Sequence, residues 1–95
     1  MTNARTRVLA AALELAATHR YDTITRGQLA SAAGVATGSV NYYFTDMAGL
    51  RDAVMAEAIE GGHYGVVAQG LVDRHPAVMA APAEVRAAAL AALST

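Results

Sequence analysis

The sequence predicts an all-α fold: a three-helix bundle with a helix-turn-helix, a linking fourth helix and one or two short C-terminal helices. Apolar residues recur at helical spacing along most of the chain. Alanine supplies much of the 55% hydrophobic content, and because it favours helix but buries little area, we expect a thin core. A chain of 95 residues has room for one core of modest size, which gains stability by association with a partner.

The first helix is predicted over residues 3–19, where apolar side chains share one face. Asn3 is suited to cap its first turn, since a short polar side chain accepts a backbone N–H there. Arg5 and Arg7 lie outside the apolar face, and each is either a packing or surface residue or a phosphate contact. Tyr21 follows the helix and is expected to fill the core. The apolar face consists of Val8, Leu9, Ala12, Leu13 and Ala16.

The second helix is predicted to begin after a cap at Thr23 or Thr25 and to run to about Ala33. Thr25, with Gln28 three residues later, fits a capping box, in which each side chain bonds the backbone N–H of the other residue. The free N–H groups at a helix start also attract anions, so Thr25 is predicted to serve both as a cap and as a phosphate ligand. Arg26 is either a solvated surface charge or a contact to phosphate or base.

Residues 25–44 have the spacing of a helix-turn-helix. Ala30 is small where the next helix crosses, and Gly34 accepts the positive φ that the turn requires. Val35 and Val40 are expected to face the core. This arrangement predicts a second helix of the motif with a polar outer side.

The third helix is predicted over about Thr37–Tyr43. Asn41 is the best candidate for reading a base, because an amide pairs with adenine through two hydrogen bonds, although a solvated polar residue is the alternative. Gly38 weakens the helix by roughly 1 kcal/mol relative to alanine, and it either permits close approach to DNA or is merely tolerated. The outer residues, small or polar, that suit a major groove are Thr37, Gly38, Ser39, Asn41 and Tyr42.

Tyr42 and Tyr43 are adjacent, so their side chains point in different directions. One is expected to pack with Phe44, and the other to offer its hydroxyl to a phosphate.

The fourth helix is predicted to begin after Asp46, which can cap it, and to end near the glycine pair 61–62. Residues 64–72 either continue this helix weakly or form a short segment, and residues 73–76 are predicted to be a connection. A last helix, with Pro82 in its first turn, is predicted to reach about Leu93. We therefore divide the chain into a DNA-binding domain, residues 1–46, and a helical linker and dimerisation segment, residues 47–95.

The stretch RYDTITRGQLASAAGVATGSVNYYFTDMAGL, residues 20–50, resembles the DNA-binding signature of the TetR family of transcriptional regulators. The resemblance covers about residues 5–60. It implies a three-helix DNA-binding head, a fourth helix that links it to the body, and a homodimer on palindromic operators. Thr25 and Tyr43 match positions that hold phosphates in the family. The residues that fall on the base-reading helix are Thr37, Ser39, Asn41 and Tyr42.

The chain departs from the family pattern at several positions. Met47 stands where the family often has a phosphate-binding lysine. Arg20 stands where a glycine usually closes helix one, so we expect a more strained backbone in that turn. Asn41 replaces a common tyrosine, which alters the expected base preference. Only about 35 residues follow helix four, too few to enclose a drug-sized cavity, so no effector is assigned. The chain is either a compact regulator or a piece of a longer one.

Composition limits the function classes. The net charge is −1 and all seven basic residues are arginines, which predicts modest non-specific DNA affinity with a shallow salt dependence. No cysteine is present, so disulfides and thiolate metal sites are excluded. The scattered histidines and the absence of phosphate-binding motifs argue against an enzyme, and no cofactor is expected. No apolar run approaches the roughly 20 residues of a membrane span, and the polar N-terminus does not resemble a signal peptide, so we expect a cytoplasmic protein.

Two functions follow. The leading hypothesis is a dimeric repressor that places two recognition helices in successive major grooves of double-stranded DNA, roughly 34 Å apart. The alternative is an interaction protein that dimerises with another regulator through residues 47–95 and modulates it without binding DNA.

Overall fold

The computed structural model of the chain describes residues 3–94, and these residues fold into helices joined by short connections. The predicted all-α fold class is confirmed, with one more short C-terminal helix, α6, than the one or two expected. The helices are α1 (Ala4–Thr18), α2 (Arg26–Ala33), α3 (Thr37–Tyr43), α4 (Met47–Gly61), α5 (Tyr64–Val72), α6 (Pro76–Met79) and α7 (Ala83–Leu93).

Side chains cap three of the helix starts as the sequence predicts. Asn3 Oδ1 accepts the Thr6 N–H at 2.8 Å at the start of α1. Thr25 and Gln28 form both bonds of a capping box before α2, and Asp46 Oδ1 accepts the Gly49 N–H at 2.5 Å before α4. These bonds satisfy N–H groups that have no partner within the helix and fix where each helix begins.

The turn between α2 and α3 depends on Gly34, whose φ of 69° lies in the left-handed region. Its N–H bonds the carbonyl of Ala30, and the Val35 N–H bonds the same carbonyl at 3.0 Å. Because a side chain is strained at this φ, glycine is the residue that allows the chain to reverse here and start α3.

The core of the helix-turn-helix unit is formed where α1 packs against α2, α3 and α4. Ala30 is 6% exposed at the α2–α3 crossing, and Val40 of α3 is fully buried, as predicted. Tyr21 is 6% exposed and fills the core after α1. The other fully buried large side chains of this unit are Val8, Leu29, Leu50 and Val54.

The C-terminal helices extend the same core. Met55 of α4, Val67 of α5 and Val78 of α6 are all completely buried, and α5 also packs along α7. Gly70 of α5 lies so close to its neighbours that an added Cβ would be 2.7 Å from Met55 Cε and 2.8 Å from Val78 Cγ2. A glycine is therefore what allows α5 to approach α4 and α6.

The turn after α1 is made without strain at Arg20. His19, the C-cap, has extended backbone, and Arg74 (φ 55°) is the one non-glycine residue with positive φ within residues 3–94. Arg20 instead bridges two carboxylates, Asp22 at 3.0 Å and Asp73 at 2.5 Å. The backbone strain expected from an arginine at this position is thus absent, because the connection after α1 is extended.

The last helix, α7, buries only some of its apolar side chains. Ala89 is fully buried, whereas Leu90 is 59% exposed and Leu93 is 49% exposed. Over the part of the chain that the structure describes, no helix has both the length and the hydropathy that a membrane crossing requires.

Candidate nucleic-acid interface

Helix α3 presents one face to the core and the other to solvent. Val40 is the inward residue. At about 3.6 residues per turn, Gly38 and Tyr42 stack on the opposite side, with Thr37 and Asn41 on one flank. Ser39, half-buried, and Tyr43 lie on the other flank. The outer face is therefore built from the residues that the sequence predicts for base contact.

The Asn41 side chain is exposed and has no hydrogen-bond partner among residues 3–94. Its amide offers one acceptor and two donor hydrogens to an incoming group. Thr37 is equally exposed, and an added Cβ at Gly38 would meet no atom within 4 Å. Packing within the described part of the chain thus does not constrain Thr37, Gly38 or Asn41.

The two tyrosines at the end of α3 contact each other. Their ring centroids are 4.9 Å apart with planes at 89°, an edge-to-face pair. Tyr42 is 78% exposed and Tyr43 is 38% exposed. The Phe44 side chain is buried, and the guanidinium of Arg5 lies 5.3 Å from its ring centroid. Both tyrosine side chains are therefore accessible from the surface, and that one of them offers its hydroxyl to a phosphate stays a prediction.

Arg7 connects α1 to the helix-turn-helix turn. Its Nη2 donates to the carbonyl of Ala33 at 2.7 Å and more weakly to that of Gly34 at 3.4 Å. These carbonyls are at the end of α2, where no helical N–H reaches them. Arg7 thus has a structural role, and its other nitrogen donors make no hydrogen bond among residues 3–94, on a residue that is exposed.

Arg26 fixes the other end of α2. Its Nη2 donates to the Thr45 carbonyl at 3.1 Å, which joins the start of α2 to the segment after α3. Its Nε is buried without a hydrogen-bond partner in the described part of the chain. Arg26 is half-buried, so it is not the solvated surface charge that is one of the two alternatives predicted from the sequence.

Thr25 keeps a donor for a ligand. Its Oγ1 accepts the Gln28 N–H at 3.2 Å, which leaves its own hydroxyl hydrogen uncommitted on an exposed side chain. The capping and ligand roles that the sequence predicts for this residue are therefore compatible in the structure.

Sequence reasoning missed the contacts that join the interface helices to the rest of the chain. Gln69 of α5 donates from Nε2 to the Ala16 carbonyl at 2.8 Å and accepts the Tyr21 N–H at 2.8 Å. Asp73 accepts from the Tyr21 hydroxyl at 3.2 Å. Burial, followed by the charge of Asp73, raises the pKa of Tyr21 above its ordinary value. No local pattern signals these bonds, because they link residues about fifty positions apart.

Within residues 3–94 no three histidine, aspartate or glutamate side chains are grouped so that they could hold a metal ion. A family model described as bacterial regulatory proteins, tetR family, matches residues 8–54, from α1 into α4. Searches of the curated proteins and of the solved structures found no significant match.

Proposed function

Since the chain carries the N-terminal DNA-binding domain of the TetR family, a family of DNA-binding transcription regulators, we propose that it is itself a sequence-specific DNA-binding regulator that acts as a dimeric repressor. The observation that carries the proposal is the outer face of α3, where the Thr37 and Asn41 side chains are exposed and make no hydrogen bond within the described part of the chain. Repression follows from occupation of a promoter. We also propose that the protein acts in the cytoplasm.

In this proposal α3 enters the major groove and α2 lies against the backbone. Asn41, with Thr37 and Tyr42 nearby, contacts base edges, and Ser39 and Gly38 allow the helix to approach. Thr25 and Tyr43 donate their hydroxyls to phosphates on either side. Arg7 and Arg26 hold α2 in place with one nitrogen each, and those of their remaining donors that are not buried reach the nearest phosphates.

We assign DNA binding to a domain of residues 1–46, and linking and dimerisation to residues 47–95. Large apolar side chains at the ends of α5, α6 and α7 support the second assignment. They are Val72 at 61% exposure, Met79 at 41%, Leu90 at 59% and Leu93 at 49%. We propose that a second copy covers these side chains, and that the dimer binds one palindromic operator with its two α3 helices in successive major grooves, roughly 34 Å apart.

The near-neutral charge constrains how the DNA is held. The net charge is −1, and of the arginines in the DNA-binding head only Arg7 and Arg26 are proposed to reach phosphates. Few phosphates are then neutralised, so the affinity falls only shallowly with salt. A salt slope that corresponds to ten or more phosphate contacts, on the order of −9 on a double-logarithmic plot, contradicts this description.

A gel shift of the full chain with DNA from its own upstream region, in the presence of excess competitor, tests the proposal. We expect a discrete complex that Asn41→Ala abolishes. The control is Glu60→Ala, an exposed residue near the far end of α4, which leaves the complex intact. A well-folded chain that binds only through another regulator, with Asn41→Ala without effect, supports the alternative of a modulator that does not bind DNA.

A further inference from the structure

We propose that the base pairs beneath α3 are A·T pairs, so that each operator half-site has an A·T core rather than a G·C core. This inference rests on the proposed DNA-binding function and adds to it the chemical class of the sequence that is read. The inference is based on the side chains that the outer face of α3 presents and on the hydrogen bonds that nearby charged side chains already make.

The first step is the chemistry that α3 lacks. Its sequence, TGSVNYY, contains no arginine or lysine and no carboxylate. In the major groove, guanine is read mainly by arginine or lysine, which donate to its two acceptors, and cytosine is read by a carboxylate, which accepts from its amino group. The helix therefore has no side chain of the type that selects a G·C pair strongly.

The second step is the amide that α3 does present. Asn41 is exposed and has no partner among the residues described, so both of its polar atoms are available. The pattern of one acceptor and one donor on adenine, N7 and N6, matches a single amide through two hydrogen bonds. Asn41 thus favours adenine over the other three bases.

The third step is the space beside Asn41. Ala36 and Thr37 place methyl groups on the exposed surface at the start of α3. Gly38 leaves the centre of the outer face without a side chain, and it does so with ordinary φ and with open space around the missing Cβ. Exposed methyl groups and an open backbone complement the C5-methyl of thymine, the one apolar group in the major groove.

The fourth step concerns the nearest charges. Arg7 Nη2 donates to the Ala33 carbonyl and Arg26 Nη2 to the Thr45 carbonyl, so moving either guanidinium to a guanine breaks a bond that positions α2. Asp46 is the nearest carboxylate after α3, and its Oδ1 caps α4. Each of the three side chains thus has one atom held by a structural bond, whereas the Asn41 amide has none.

Selection of the full chain on a library of randomised DNA duplexes tests the inference. We expect inverted half-sites whose core positions are A·T. In the selected duplex, 7-deazaadenine at the position opposite Asn41 removes the N7 acceptor, and uracil at the core thymines removes the methyl groups. Each replacement is expected to weaken binding, the first by about tenfold or more.

A matched pair of variants assigns the preference to α3. Asn41→Arg is expected to change the selected base at one core position from adenine to guanine, and Glu60→Ala is expected to leave the selected sequence unchanged. A G·C core selected by the unaltered chain, or modified bases without effect, overturns the inference and leaves the proposed function standing. A folded chain that enriches no sequence contradicts the proposed function, and this inference falls with it.

Discussion

The guanidinium of Arg7 donates a 2.7 Å hydrogen bond to the carbonyl oxygen of Ala33. This bond attaches the N-terminal part of α1 to the end of α2. The same guanidinium lies 3.2 Å from where a Cβ on Gly34 would be. The position of α3 relative to α1 therefore depends on a charged side chain as well as on the apolar core.

Replacement of Arg7 by methionine removes this bond and keeps most of the aliphatic stem. The Ala33 carbonyl is then left to water, so the free energy of unfolding is expected to fall by about 1 kcal/mol. Urea denaturation measures the change, with Glu14→Gln, an exposed residue of the same helix, as the control. An unchanged midpoint for Arg7→Met would mean that the bond does not hold the motif.

Gly38→Ala separates stability from DNA binding. The added methyl meets no atom within 4 Å and removes a glycine from a helix, so the free protein is expected to gain about 1 kcal/mol. Binding to operator DNA is expected to weaken, because the methyl stands between α3 and the groove. Gly34→Ala is the comparison: at φ 69° it is expected to cost about 1–2 kcal/mol. A Gly38→Ala protein that is more stable and binds equally well contradicts the close approach.

Gly70→Ala tests the contact between α5 and its neighbours. The new Cβ overlaps Met55 and Val78, so the fold is expected to lose about 1–3 kcal/mol. Gly65→Ala, in the same helix but in open space, is the matched control and is expected to stabilise the protein by up to about 1 kcal/mol. Thermal melts of both variants give the comparison. Equal melting temperatures would show that α5 does not pack closely on α4 and α6.

The raised pKa of Tyr21 predicts how the stability of the fold changes at alkaline pH. Burial and the charge of Asp73 raise the pKa of its hydroxyl above the ordinary value of 10.0, so the folded state binds this proton more tightly than the unfolded state. The resulting stabilisation is complete below pH 10, and it is lost as the pH rises through the raised pKa of the folded state. Tyr21→Phe is expected to flatten the decline in melting temperature above this pH, whereas Tyr42→Phe, at an exposed position, is expected to leave it unchanged. Identical alkaline profiles for wild type and Tyr21→Phe would contradict the assignment.

The elements that could be predicted from the sequence are those decided by near neighbours. The capping box joins Thr25 to Gln28, and the turn depends on the φ of a single residue, Gly34. Both are set by residues within a few positions of each other, so their bounds follow from the sequence. The short helix α6 was missed because Pro76 was interpreted as part of a connection, whereas His75 Nδ1 accepts the Ala77 N–H and starts a helix there.

The contacts that could not be predicted join residues far apart in the chain. Gln69 reaches Ala16 across 53 positions, and Arg7 reaches Ala33 across 26. A polar residue on a helix surface has many possible partners, and only the assembled packing selects one. The same holds for the candidate site: its residue types could be identified from the sequence, but the engagement of Arg7 and Arg26 with backbone carbonyls could not.

We propose that two copies of the chain hold one operator through their α3 helices. Sedimentation of the full chain with its selected duplex, at increasing protein concentration, measures the number of chains per DNA molecule. We predict a single complex with two chains per duplex, and the same DNA with one half-site scrambled should bind much more weakly. A complex with one chain per duplex, or no complex with a folded protein, would contradict the account.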